Sequence, residues 1–178
     1  VDVIKFMIKK AGKTKGGVDT RNGMNYPQLI SKYTMGAVLY HQACDNYLDE
    51  KMTASSKPND KPYKKGAYYT GKEHSWDEAF GYWGAAAHTM TLSAQQSYDV
   101  AKKKDLKAAD FNKDGVVDLY KEMTYGHAYY ASAFDKGGKT NYLKTVTKAF
   151  IDGRKIITAA DGNKLSSSDL TKVQDLAQ

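Results

Sequence analysis

The sequence predicts an all-α protein, an antiparallel helix bundle, on three observations. Tyr26, Ile30, Tyr33, Ala37, Tyr40, Cys44 and Tyr47 recur at alternating steps of four and three, a seam of about 3.5 residues per turn. Apolar stripes with helical spacing follow it at several places further along the chain. Alternating strand patterns are nearly absent, and no internal repeat is visible.

Taken in order, Val3, Ile4, Met7 and Ile8 form a short amphipathic helix that the run Gly12-Lys13-Thr14-Lys15-Gly16-Gly17 breaks. Residues 12–25 read as an exposed loop, so 1–25 is an irregular N-terminal segment. The long helix over 26–52 opens with Asn25 as cap, Pro27 in the first turn and Gln28 closing a capping box. Cys44 lies in its seam, which makes it a buried, inert thiol. Residues 53–72, with Pro58, Pro62 and Gly66, form a long loop. Trp76, Ala79, Phe80, Trp83 and Ala87 then share one face of a helix over 72–88. A more polar helix covers 93–104. Met123, Tyr130 and Phe134 define a helix over 119–134 that Gly137-Gly138 ends. Leu143, Val146, Phe150 and Ile157 define one over 140–160. Ser166 and Asp169 cap a last helix carrying Leu170, Val173 and Leu176. Residues 1–178 are expected to be one helical domain, with N-terminal helices possible upstream.

Residues 110–122 carry the strongest chemical signal. Asp110, Asn112, Asp114 and Asp118 place side-chain oxygens at positions 1, 3, 5 and 9 of a calcium loop. Gly115 falls at position 6, where the backbone turns sharply, and Val116 at position 7 offers its carbonyl. Three carboxylates and an amide this close together repel one another unless a hard cation neutralises them. The predicted cofactor is therefore Ca²⁺, held in an EF-hand-like loop between two helices. Lys121 stands at position 12, where the bidentate carboxylate belongs, so Glu122 is expected to supply it one residue late. The structural alternative is an Asp/Asn-rich turn in which Asp118 caps the next helix.

The second candidate site lies in Gly71–Gly84. His74 and Glu78 are four residues apart and His74 and Asp77 three apart, so all three share one helix face. An imidazole beside carboxylates is half of a transition-metal site, with His41, Glu122 and His127 as candidates for the other half. The structural alternative is an acidic helix N-terminus, with His74 as a polar partner of aromatic residues.

Composition narrows the classes. The net charge is +7, but the cations are scattered and only Arg21 and Arg154 are arginines, so no nucleic-acid partner is expected. No apolar run approaches the ~20 residues that cross a bilayer. The single cysteine excludes an internal disulfide. The chain begins Val1-Asp2-Val3-Ile4, so a leader, a pro-segment or more of the protein is expected upstream. Nucleophile elbows, Cys/His pairs and dinucleotide fingerprints are absent.

Residues 24–52, the stretch His74-Ser-Trp-Asp-Glu-Ala-Phe-Gly-Tyr-Trp-Gly84, and Asp110-x-Asn-x-Asp-Gly-x-x-Asp118 with Glu122 together resemble the bacterial family called domain of unknown function 4856. The resemblance covers about residues 24–160. It implies an exported, often lipid-anchored helical protein, similar to the imelysins that are associated with iron uptake and were once classed as peptidases. The imelysin motif is Gly-x-His-x-x-Glu; here Lys72 precedes His74 by two and Asp77 follows it by three.

The expectation is a non-enzymatic, calcium-binding helical protein outside the cytoplasm, in the periplasm, on the surface or secreted. It binds an unidentified ligand or protein partner and is linked to metal acquisition. One alternative is a metal-dependent hydrolase using His74 and Glu78. Another is a structural protein whose tyrosine-rich, basic surface assembles into a layer or filament, or binds acidic glycans.

Overall fold

The computed structural model describes all 178 residues, Val1–Gln178. The protein is mostly helical. No helix is long and apolar enough to cross a membrane. The backbone forms two compact units, Val1–His41 and Gln42–Gln178.

The first unit holds α1 (Asp2–Ala11), a 3₁₀ turn at Lys15–Gly17, two short strands and α2 (Tyr26–Met35). Residues 1–25 are thus more regular than the sequence suggests. Strands β1 (Val18–Asp19) and β2 (Met24–Asn25) pair antiparallel, Val18 opposite Asn25. Asp19 shapes the turn between them, its Oδ1 accepting the amides of Arg21 and Asn22 at 3.1 and 3.2 Å. Such a pairing is too short to alternate visibly in sequence. Gly17, at φ +73°, lies against Pro27, where a Cβ would come within 2.8 Å of the ring. α1 packs on α2. The Asn25 side chain accepts the Gln28 amide at 3.1 Å, as its capping position requires.

The helical run that begins at Tyr26 does not keep one geometry. It continues as a π-helix over Gly36–Asp49 and closes with a 3₁₀ turn over Glu50–Met52. A seam of alternating fours and threes has the α-helical period; on the wider turn of a π-helix the same residues no longer keep one face, and Tyr40 is exposed. Cys44 is half-buried rather than enclosed.

In the second unit, residues 53–70 form the long loop before α3 (Gly71–Trp83). A 3₁₀ turn (Thr89–Thr91), α4 (Ala94–Ala101), α5 (Leu106–Ala109), α6 (Gly126–Asp135), α7 (Tyr142–Ala159) and α8 (Ser167–Ala177) follow. α7 is the central element and packs on α3, α6 and α8. The main core joins Met52, Trp76, Ala79, Phe150, Ile157 and Val173. Trp76 meets Phe150 edge-on at 5.5 Å, and its indole N–H donates to the Phe150 carbonyl at 2.7 Å. A second cluster of Leu92, Val100, Ala109 and Met123 sits beneath residues 110–122.

Two predicted helix ends are corrected. α3 stops at Trp83 because Gly84 takes a left-handed conformation, φ +82°. The helix expected from Leu119 starts only at Gly126. The intervening backbone pairs with the segment after α3 instead: the Ala87 amide donates to Lys121 O and the Tyr125 amide to Gly84 O, both at 2.7 Å. A Cβ at Gly84 would lie 2.8 Å from Tyr125 O, so only glycine admits this approach.

Candidate functional site

The loop over 110–122 is shaped by its own side-chain oxygens. Asp110 Oδ1 accepts the Asp114 amide at 3.2 Å, and its Oδ2 the Gly115 amide at 2.9 Å. Asn112 Oδ1 accepts the Asp114 amide at 3.0 Å and Asp114 Oδ1 the Val116 amide at 2.8 Å. Asp118 Oδ1 accepts the Tyr120 amide at 2.8 Å. That bond, helped by Lys121 3.5 Å away, holds the Asp118 carboxyl below its ordinary range against an opposing desolvation. Gly115 makes the sharp turn at φ +85°, and Lys113 also takes a left-handed φ of +61°. Asn112, Asp114 and Val116 are exposed and Asp110 is half-buried.

Glu122 behaves differently from these residues. It is only 5% exposed. Its Oε1 accepts the amides of Phe111 and Asn112 at 3.0 and 3.3 Å, and its Oε2 accepts the Asp118 amide at 2.8 Å. Both carboxylate oxygens are therefore engaged with the two ends of the loop. Beneath it, the buried His88 ring stacks on Phe111 at 5.0 Å, with Nε2 3.1 Å from Ala108 O. The loop is thus strapped to the chain that leaves α3.

The donor set is all oxygen, as a hard cation requires, and the turn at Gly115 has the conformation a calcium loop needs. Asp110, Asn112, Asp114, Asp118 and the Val116 carbonyl are donors of the type such an ion takes. Glu122 also braces the loop, its buried carboxylate holding three amides. No three His, Cys, Asp or Glu side chains converge as a metal site.

On α3 the predicted trio separates. A capping box fixes the helix start: Thr70 Oγ1 accepts the Glu73 amide at 3.1 Å while Glu73 Oε2 accepts the Thr70 amide at 2.9 Å. His74 Nε2 lies 3.7 Å from Glu78 Oε1. The His74 ring is covered by Tyr63 at 3.7 Å and Tyr69 at 5.7 Å, both from the preceding loop. Asp77 pairs with α7 instead, its Oδ1 accepting Arg154 Nε at 2.8 Å. Arg154 also donates from Nη1 to Glu73 Oε1 at 2.7 Å. Burial alone would raise the Glu73 carboxyl, but the Thr70 amide and Arg154 outweigh it and hold it below the usual range. Arg154 as the hub could not be read from sequence, because its partners are 77 and 81 residues away.

Beside this hub, α3 and α7 enclose a cleft of about 560 Å³ walled by Trp76, Phe80, Phe150 and Ile151, with Arg154 and Thr158 at its edge. Such a volume and such walls suit one ligand of moderate size.

With these features in place, the chain can be compared with known proteins. The profile of the family described as "Domain of unknown function (DUF4856)" matches residues 7–168. The chain belongs to this family. No curated protein and no solved structure matches it. The DUF4856 match spans the loop at 110–122, the α3 trio and the α3–α7 cleft alike.

Proposed function

We propose that this DUF4856 domain is a calcium-binding, non-enzymatic helical binding protein that works outside the cytoplasm. The observation that carries the reading is the loop at 110–118, in which the oxygen-bearing side chains are oriented by backbone amides around a glycine turn. Extracellular modules bind Ca²⁺ at ~10⁻⁴–10⁻³ M, a range in which a loop lacking a full bidentate carboxylate remains useful. Binding there stiffens the segment that pairs with Gly84 and Ala87. It thereby steadies the end of α3, which walls the cleft with Trp76 and Phe80. The cleft is the seat for an apolar ligand, in keeping with a role in acquisition rather than turnover.

Calcium titration followed by thermal melting tests this. The wild type is expected to melt higher in millimolar Ca²⁺ than in chelator. The double variant Asp110→Ala, Asp114→Ala is expected to melt at one temperature in both. Identical wild-type curves with and without Ca²⁺ would remove the reading.

The 3.7 Å approach of His74 to Glu78 keeps a second reading in play, a transition-metal site serving hydrolysis. Elemental analysis separates the two. Stoichiometric zinc or iron, lost in His74→Ala, supports the second; calcium alone supports the first.

A further inference from the structure

The loop before α3 carries a hairpin that neither the calcium loop nor the cleft uses. Its arms meet through a bridge between Pro62 and Thr70 and a bond from the Tyr63 amide to Tyr69 O at 2.9 Å. Its tip turns through Gly66 at φ +81°, with the Ala67 amide donating to Lys64 O at 3.0 Å. The base is clamped by Asn59, which is 4% exposed. Asn59 Nδ2 donates to Ile157 O at 3.2 Å and to Asn163 O at 2.9 Å, and its Oδ1 accepts the Thr70 hydroxyl at 2.6 Å. The inner side is fixed where Tyr63 covers His74. This is an anchored element, not a slack loop.

Its outer side has an unusual surface. Tyr68 is 104% exposed and Tyr69 37%. Lys61, Lys64 and Lys65 are exposed, and none of them is in an ion pair. No acidic residue lies between positions 61 and 69. Between the arms and Gly162 lies a hollow of about 180 Å³ bordered by Asp60, Lys61, Tyr68 and Tyr69. Asp60 is half-buried, and its Oδ1 is enclosed without a hydrogen-bond partner. Its other oxygen is 3.9 Å from Lys164.

We propose that this hairpin is a docking surface for an acidic polysaccharide, with one sugar unit seated in the hollow. Each part of the surface matches a part of that ligand. The tyrosine rings offer flat apolar faces to the C–H face of a pyranose, with their hydroxyls toward water. The three ammonium groups pair with carboxylate or sulfate groups along the chain, an attraction that salt weakens. The clamped base means that little ordering is required on binding, which favours affinity. Nucleic acid fits less well, since the cations are lysines without the planar fork that reads phosphate and base edges. A membrane surface also fits less well, because the tip carries no large aliphatic side chain to insert.

The test uses the whole chain and hyaluronan oligosaccharides, which alternate a uronate with a neutral sugar. Neutral dextran, poly-glutamate, single-stranded DNA and anionic vesicles serve as comparators. Hyaluronan is expected to bind in a salt-sensitive manner, more tightly than every comparator. Tyr68→Ala and Lys61→Ala are each expected to weaken it by about tenfold with melting temperature unchanged, since both side chains are exposed. Absence of hyaluronan binding overturns the proposal. So does equal binding of poly-glutamate, DNA or vesicles, which would show only a general attraction for anions. Undiminished binding by Tyr68→Ala overturns it as well.

Discussion

Trp76 lies against the bare backbone of Gly153: a Cβ at that glycine would stand 2.1 Å from Cζ2 of the indole. The contact sets the distance between α3 and α7, and so the floor of the cleft. Glycine inside a helix costs about 1 kcal/mol relative to alanine. Position 153 accepts that cost because the indole needs the room.

Gly153→Ala should therefore destabilise the protein, although alanine is the better helix former. Overpacking of this kind costs roughly 1–3 kcal/mol after relaxation, a drop of several degrees in melting temperature. Trp76 fluorescence should shift as the ring is displaced. Adding Trp76→Leu should recover part of the loss, since the smaller side chain leaves space for the methyl group. A Gly153→Ala protein as stable as the wild type would mean that α3 and α7 are not held this closely.

Glu122 and Asp114 should part company under mutation. Glu122→Gln swaps a carboxylate oxygen for a carboxamide NH2, a donor, beside backbone amides that need acceptors. Charged hydrogen bonds of this sort contribute roughly 1.5–3 kcal/mol, so the variant should melt lower in chelator as well as in calcium. Asp114→Asn keeps an oxygen for the Val116 amide and gives up only the exposed bond from Asn112 Nδ2, so it should stay close to the wild type in chelator and fall behind it when Ca²⁺ is present. If both variants behave alike in chelator, Glu122 is not the brace its hydrogen bonds describe.

The Arg154 hub predicts an acid limb of stability. Glu73 titrates below its ordinary value in the folded protein, through the Thr70 amide and Arg154 working against burial. A carboxyl lowered on folding stabilises at pH above its unfolded value and loses that contribution as pH falls through the folded one. Urea midpoints taken from pH 6 down to pH 2.5 should fall less steeply for Glu73→Gln than for the wild type. Parallel slopes would show that Glu73 contributes nothing to the acid transition.

What the sequence revealed and what it hid follow from the range of the interactions. Apolar spacing and local caps act over three or four residues, and α3, α7 and α8 appear close to where those signals place them. The Asn25 and Ser166 caps are likewise where the sequence puts them. The loop at 110–118 was legible because its chemistry is written into nine adjacent residues. The rest depends on partners distant in sequence. Residues 119–125 stay out of helix because Gly84 and Ala87 take up their backbone groups. Arg154 gathers two acids from α3. Asp135, 1% exposed, ends α6 and also caps α7, accepting the Tyr142 and Leu143 amides at 2.9 and 2.7 Å. Nothing in the composition around Asp135 distinguishes it from a surface aspartate.

Lys72 was equally hidden, and it yields a prediction of the same sign as Glu73, moved to the alkaline side. It stood out in sequence only as a departure from a motif, yet it is 2% exposed. Its ammonium donates to the carbonyls of Lys51 at 3.1 Å and Ser56 at 2.5 Å, and to that of Thr53. It is in no ion pair with a carboxylate. Desolvation pushes its pKa down to about 8. The unfolded chain keeps this proton until about pH 10.4. Between these values the unfolded state binds more protons, so the Lys72 contribution to stability rises with pH across that window. Other lysines and the tyrosines titrate nearby, so the measurement is a difference. Wild type and Lys72→Met should be compared by urea midpoint from pH 7 to pH 10. Methionine keeps the apolar stem and leaves the three carbonyls without a donor, so it should be less stable throughout. The gap should widen as pH rises above 8, because only the wild type sheds the cost of a buried charge. A gap that narrows over that interval would mean the carbonyls stabilise the ammonium by more than its burial costs.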